Sequence, residues 1–179
     1  MKVRQAMTSD VSFCLPESTL TEAVTIMWQR DCGVVPVVDM KKRVVGMITD
    51  RDICIALATK HQLSNDIKVS EIIGKRVRTC TPHDDVQDAL KTMKKWQLRR
   101  LPVVNEAEEL VGILSIGDLL HYAGKGKVSR KKLLSALQEI SSFRPLHLQE
   151  LTEDEIETDL PGENDFPAQA DRAESNESE

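Results

Sequence analysis

The chain has 179 residues, 40% hydrophobic and 30% charged, with only 3% aromatic. That length supports one substantial domain or two small ones around an aliphatic core, and no apolar run approaches the roughly 20 residues of a membrane-spanning helix. The net charge of −5 conceals an acidic end in which residues 148–179 hold 12 Asp and Glu against one Arg. The remaining body is mildly basic, which suits an anionic ligand and is too weak and scattered for nucleic acid.

The N-terminus MKVRQAMTSD lacks the apolar stretch of a secretory signal, so a cytoplasmic location is expected. Cys14, Cys32, Cys54 and Cys80 form no CxxC pair and are read as reduced thiols in apolar settings. The four histidines supply no close ligand pairs for zinc. No metal site is expected.

Along the chain the dominant feature is an internal repeat. A shift of 66 residues, without a gap, superposes Val3 on Val69, Cys14 on Cys80, Pro16 on Pro82, Ala23 on Ala89 and Met27 on Met93. The same register matches Pro36-Val37-Val38 with Pro102-Val103-Val104, Gly46 with Gly112 and Asp52 with Asp118. One register held that long marks a duplication, with a first domain at 1–60 and a second at 67–124.

Each copy opens with a short extended piece, VSFCLP or VRTCTP, followed by a helix. The apolar positions Leu20, Ala23, Val24 and Met27, and Val86, Ala89, Leu90 and Met93, fall at helical spacing. Thr19 with Glu22 reads as a capping box, and Asp84 three residues before Gln87 as the start of the second helix. Two strands follow, VVPVV and RVVGMI, then LPVV and ELVGIL, joined by the polar turns DMKKR and NEAEE. The proline within VVPVV points to an edge or a strand start. The helices DICIALATK and DLLHYA complete β-α-β-β-α, twice. After the second copy, a helix over about 129–142, within a segment at 127–145, places Leu133, Leu134, Leu137 and Ile140 on one face. Residues 146–179 lack the apolar content to fold alone and are read as disordered.

The segments Gly46–Asp52 and Gly112–Asp118 share the form G-φ-φ-[ST]-x-x-D at a strand-to-helix junction. A helix N-terminus offers unpaired N–H groups and positive dipole character to a phosphate. A hydroxyl can donate to a ribose or phosphate oxygen, and an Asp one turn on can accept from both ribose hydroxyls. The same residues also fit a plain helix cap. Their recurrence at equivalent positions favours the binding reading. No catalytic constellation is evident, and no enzyme activity is expected.

The doubled unit, with its φ-P-V-V strand and G-φ-φ-[ST]-x-x-D turn, resembles tandem cystathionine-β-synthase (CBS) domains, the Bateman module, over residues 1–124. The resemblance implies an α/β fold of two repeats packed about a pseudo-twofold axis. It also implies clefts for AMP, ADP, ATP or S-adenosylmethionine, with no required cofactor. On that pattern Thr49 with Asp52 and Ser115 with Asp118 are the ribose and phosphate residues, while Gly33-Val34 and Arg99-Arg100 line the base pockets. The arginines and Arg51 are phosphate candidates, which predicts unequal clefts. The resemblance further implies a homodimer and a regulatory module acting on a separate effector protein. The alternative is a ligand-free dimerisation scaffold that recruits a partner through the C-terminal helix and acidic tail.

Overall fold

The computed structural model describes residues 1–74, 77–124 and 128–142; the acidic tail lies outside the described residues. Helix α1 spans Leu20–Gln29. The Thr19 hydroxyl accepts the Glu22 N–H at 3.3 Å while the Glu22 carboxylate accepts the Thr19 N–H at 2.7 Å. Strands β1 (Val34–Val38) and β2 (Val44–Thr49) form an antiparallel hairpin, and helix α2 runs over Asp50–Lys60. The second copy repeats this as α3 (Val86–Trp96), β3 (Arg100–Val104), β4 (Leu110–Ser115) and α4 (Ile116–Gly124). Helix α5 spans Arg130–Ile140.

The hairpin turns use local chemistry. The Asp39 carboxylate accepts the Lys41 and Arg43 N–H groups, and the Asn105 side chain accepts those of Ala107 and Glu109. Lys42 and Glu108, 66 positions apart, both take positive φ, at 61° and 62°. The turns meet across the molecule where Arg43 bridges Glu109 and Leu110 N–H donates to Lys42 C=O. Arg43 and Glu109 are also 66 apart, as a pseudo-twofold axis passing between them requires.

Three expectations are corrected. Asp85, not Asp84, caps α3 by accepting the Gln87 N–H at 2.9 Å; Asp84 instead accepts Thr81 N–H at 2.8 Å. The opening strand of each copy shrinks to one bridge, Cys14 to Val37 and Cys80 to Val103, both parallel. Pro36 and Pro102 therefore sit in mid-strand. Their carbonyls accept the Cys14 and Cys80 N–H groups, and the missing proline N–H faces that one-bridge side, where no ladder bond is lost. Finally, Cys14 and Cys80 are buried, but Cys32 is half-buried and Cys54 exposed on α2.

There are two cores, and each borrows a segment from the other copy's side of the sequence. Ile67 and Val69 pack with Leu20, Met27, Val37 and Ile48 of the first copy. Val3 and Ala6 pack with Leu90, Met93, Val103 and Leu114 of the second. The backbone records the exchange symmetrically: Leu20 N–H donates to Ile67 C=O, and Val86 N–H to Met1 C=O. The motif glycines permit the close approach. A Cβ on Gly112 would lie 2.9 Å from Met7 Sδ and 3.0 Å from Thr8 O, and one on Gly46 would lie 2.7 Å from Ile73 Cδ1.

Helix α5 breaks the symmetry. It packs on α3 and α4 through Leu133, Ala136 and Ile140, at i, i+3, i+7; burial of such aliphatic side chains contributes about 1.5–3 kcal/mol each for the larger two. Leu134, expected on that face, is 59% exposed, being one position off the stripe. Among the described residues the matching α1–α2 face of the first copy has no such cover. Val24 is 43% exposed against 4% for its counterpart Leu90, and Leu57 is 39% exposed against 5% for Ala123. Val24 is thus a surface residue rather than the core residue its spacing predicts.

Candidate functional site

Both Ser/Thr-x-x-Asp turns fold as reciprocal capping boxes. Thr49 Oγ1 accepts the Asp52 N–H at 3.1 Å, and Asp52 Oδ2 accepts the Thr49 N–H and hydroxyl at 2.9 and 2.6 Å. Ser115 and Asp118 repeat this at 3.1, 2.8 and 2.7 Å. Each box ties down one carboxylate oxygen. Among the described residues nothing donates to Oδ1 of either aspartate, so the structural duty leaves an acceptor for a ligand.

Their surroundings differ. Ser115 and Asp118 open into a cleft of about 350 Å³ whose walls come from both copies. That is the small end of the range for ligand pockets, roughly 300–1,000 Å³. The apolar wall is Val11, Ile26, Val34, Pro36 and Ile113; Arg100, Arg30 and Asp10 bring charge. Asp52 lines a smaller hollow of about 190 Å³ beside Ile55, Thr59, Lys60 and Ile72. Gly33 lies in a third depression of about 440 Å³ with Val24, Trp28, Asp31 and Asp50, and Arg100 reaches this one too. A Cβ on Gly33 would stand 2.7 Å from Asp50 Oδ2, so a larger residue there would have to displace the exposed Asp50 carboxylate.

The cleft therefore gathers Ser115, Asp118, Val34 and Arg100, while Gly33 lines the depression that Arg100 shares, Asp52 lines its own hollow, and Thr49, paired with Val34 across β1 and β2, lines none of the three. Arg51 and Arg99 are exposed and line none of these three hollows. The Arg99 carbonyl instead holds the Ile116 N–H.

Sequence reasoning missed the cleft's other face. Thr8, Asp10, Val11 and Ser12 belong to the segment that crosses to the second copy, where Thr8 bridges Ile113. Arg30, at the end of α1, donates to both Asp10 carboxylate oxygens at 2.8 and 3.4 Å and to Ser12 Oγ at 2.8 Å. The repeat register offered one hint, because Arg30 stands opposite Trp96 and Ser12 opposite Arg78. In the second copy that pair recurs with its chemistry reversed, the Arg78 guanidinium lying 3.9 Å over the Trp96 ring.

Burial pushes the Cys14 thiol up to about 11 and the Cys80 thiol to about 12, which makes both inert at neutral pH. Among the described residues no group of three or more His, Cys, Asp and Glu could hold a metal, and no helix is long and apolar enough to cross a membrane.

The comparisons with known proteins agree with this architecture. The family profile described as CBS domain matches residues 3–59 and 69–125. The CBS domain-containing protein YhcV of Bacillus subtilis is 34% identical over 139 residues, covering 78% of this chain and 94% of YhcV. The crystal structure of Hypoxic Response Protein I with two coordinated zinc ions superposes with a TM-score of 0.63 at 30% identity, over 68% of this chain and 98% of that one. The CBS domain pair of protein MJ0100, in complex with 5′-methylthioadenosine and S-adenosyl-L-methionine, superposes with a TM-score of 0.64 at 25% identity, over 71% of this chain and 98% of that one. With both copies matched and the fold shared, the chain belongs to the CBS-domain family, as a tandem pair of CBS domains.

Proposed function

We propose that this protein is a regulatory sensor of an adenosyl ligand, AMP, ADP, ATP or S-adenosylmethionine, bound in the cleft at Ser115 and Asp118. One observation carries the reading: Asp118 is anchored through Oδ2 and keeps Oδ1 for a ligand in a cleft built by both copies. Oδ1 suits a ribose hydroxyl, the apolar wall suits a purine, and Arg100 and Arg30 suit phosphate. The MJ0100 pair, with its adenosyl ligands, supports the ligand class. Thr49 and Asp52 form a second, unequal site. No residue is assigned a catalytic role, and the four unpaired cysteines fit the reducing cytoplasm. Because the walls belong to both copies, a ligand would favour one relative arrangement of them and pass occupancy to an effector protein as a population shift.

Calorimetry with AMP, ADP, ATP and S-adenosylmethionine tests this. The native protein binds at least one of them, and Asp52→Ala combined with Asp118→Ala weakens binding about tenfold or more. Unchanged affinity in that double variant would overturn the assignment.

The uncovered α1–α2 face favours self-association as a companion role, with or without ligand. Trp28, 86% exposed and lining the same depression as Val24, is the natural centre of a homodimer contact. Sedimentation of Trp28→Glu as a monomer against a native dimer would support this, and a native monomer would exclude it.

A further inference from the structure

Helix α5 creates a second feature besides the covered core, a groove of about 490 Å³ where it lies along α3. Leu90 and Ala136 are at its floor, and Lys91, Lys94, Lys131 and Lys132 rim it. The methylene stems of those lysines extend the apolar surface while the ammonium groups face outward. Lys94 Nζ is held by Ser135 Oγ at 3.1 Å and Lys91 Nζ by Asp88 at 2.8 Å. The rim has four positive charges with Asp88 as the acid paired to one of them. Its surface is apolar below and cationic above, which fits an acidic segment carrying aliphatic anchors.

We propose that the occupant is the chain's own residues 148–160. That stretch holds six Asp and Glu with no Lys or Arg, and interleaves Leu148, Leu151, Ile156 and Leu160. It lies outside the described residues and follows the last of them, Ser142, after five intervening positions of sequence. Helix α5 ends at Ile140, and the groove lies beside Lys131 to Ala136, about 14 Å back along the helix at its outermost residue. Residues 141–147, extended, span about 23 Å, enough for the chain to turn and return antiparallel to α5. Self-docking would place the most acidic part of the protein on the copy that carries Asp118. The charge of the tail is thereby held on the α3–α5 face.

Zero-length carbodiimide cross-linking of the full chain, as an equal mixture of ¹⁴N- and ¹⁵N-labelled protein, tests the proposal. Links from Glu150 to Asp159 are expected on Lys91, Lys94, Lys131 and Lys132, within single isotopic chains. Lys131→Glu with Lys132→Glu leaves Lys91 and Lys94 to report, and their link yield falls about tenfold, the effect of losing two weak surface ion contacts and adding repulsion. Glutamates near the start of α5 are favoured by the helix dipole, so that variant keeps its helix. Leu151→Ser with Ile156→Ser, which touches nothing in the described fold, lowers the same yield through the apolar anchors. Three results would overturn the proposal: links shared evenly with Lys2, Lys41 and Lys42; mixed-isotope links in the majority, which would place the tail on a second copy; or yields unmoved by both variants.

Discussion

Replacing Asp118 by Ala separates its capping duty from its proposed binding duty, because Asp52 supplies a control with the same local geometry. In both turns the carboxylate takes two hydrogen bonds from its Ser or Thr, at 2.8 and 2.7 Å for Asp118 and 2.9 and 2.6 Å for Asp52. Alanine removes that returning half and leaves the hydroxyl cap. Loss of such a cap costs about 1 kcal/mol, and in a body of this size that lowers Tm by about 3 °C. The two variants should therefore melt alike. Ligand affinity should divide them. A hydrogen bond to a charged group contributes about 1.5–3 kcal/mol, so Asp118→Ala should weaken the cleft's adenosyl ligand about 10- to 150-fold. Asp52→Ala should leave that affinity in place and reduce only the number of sites. Differential scanning calorimetry and titration calorimetry on the same preparations read both quantities. If Asp118→Ala melted about 3 °C lower yet kept native affinity, the aspartate would be a cap alone and the reasoning would fail.

The Arg30–Asp10 pair makes Asp10 a competitor for phosphate. Asp10→Ala should tighten AMP binding several-fold and leave adenosine unchanged in titration calorimetry, while Arg30→Ala should erase the preference for AMP; equal effects on both ligands would remove Arg30 from the phosphate end. Gly112→Ala drives a Cβ against Thr8 O at 3.0 Å and Met7 Sδ at 2.9 Å. It should cost about 1–3 kcal/mol by denaturant unfolding, more than Gly46→Ala, whose added Cβ meets only the Ile73 side chain. Thiol labelling should proceed first at exposed Cys54, then at Cys32, with Cys14 and Cys80 protected until the protein unfolds. Since the folded Cys14 and Cys80 thiols hold their protons up to about 11 and about 12, against an ordinary 9.0, the unfolded chain ionises first. Stability should then be level below pH 9 and fall as pH rises through 9 toward 11–12; a melting temperature that rose across that range would contradict the burial of these thiols.

What the sequence made legible was whatever depended on local pattern. The duplication, the two hairpins, the capping turn at Thr19 and the Ser/Thr-x-x-Asp boxes all rest on residues within a few positions of one another. Apart from the one-residue shift of the α3 cap from Asp84 to Asp85, the misplaced features depended on distant neighbours. Val24 and Leu90 have the same spacing and the same apolar character, yet only Leu90 is covered, because α5 lies on one copy and not the other. Ala136 displaces Leu134 from the buried stripe, since a helix packed between α3 and α4 takes i, i+3, i+7 positions according to its rotation and accepts a small residue where backbones approach.

The residues of the candidate cleft show the limit most clearly. Val34, Arg100, Ser115 and Asp118 were readable because each lies in or next to a repeated motif. Asp10, Ser12 and Arg30 carry no motif. They reach the cleft only because residues 1–8 cross to the second core, drawn by Val3 and Ala6 and admitted by Gly112. The glycine favours that exchange in physical terms, since a Cβ at that position would press on Thr8 O at 3.0 Å and force the segment beside Ile113 to shift. The motif glycine therefore acts on the site indirectly. It lets one copy's leading segment form a wall of the cleft whose aspartate belongs to the other, and this shared wall would let a bound ligand sense how the two copies are arranged.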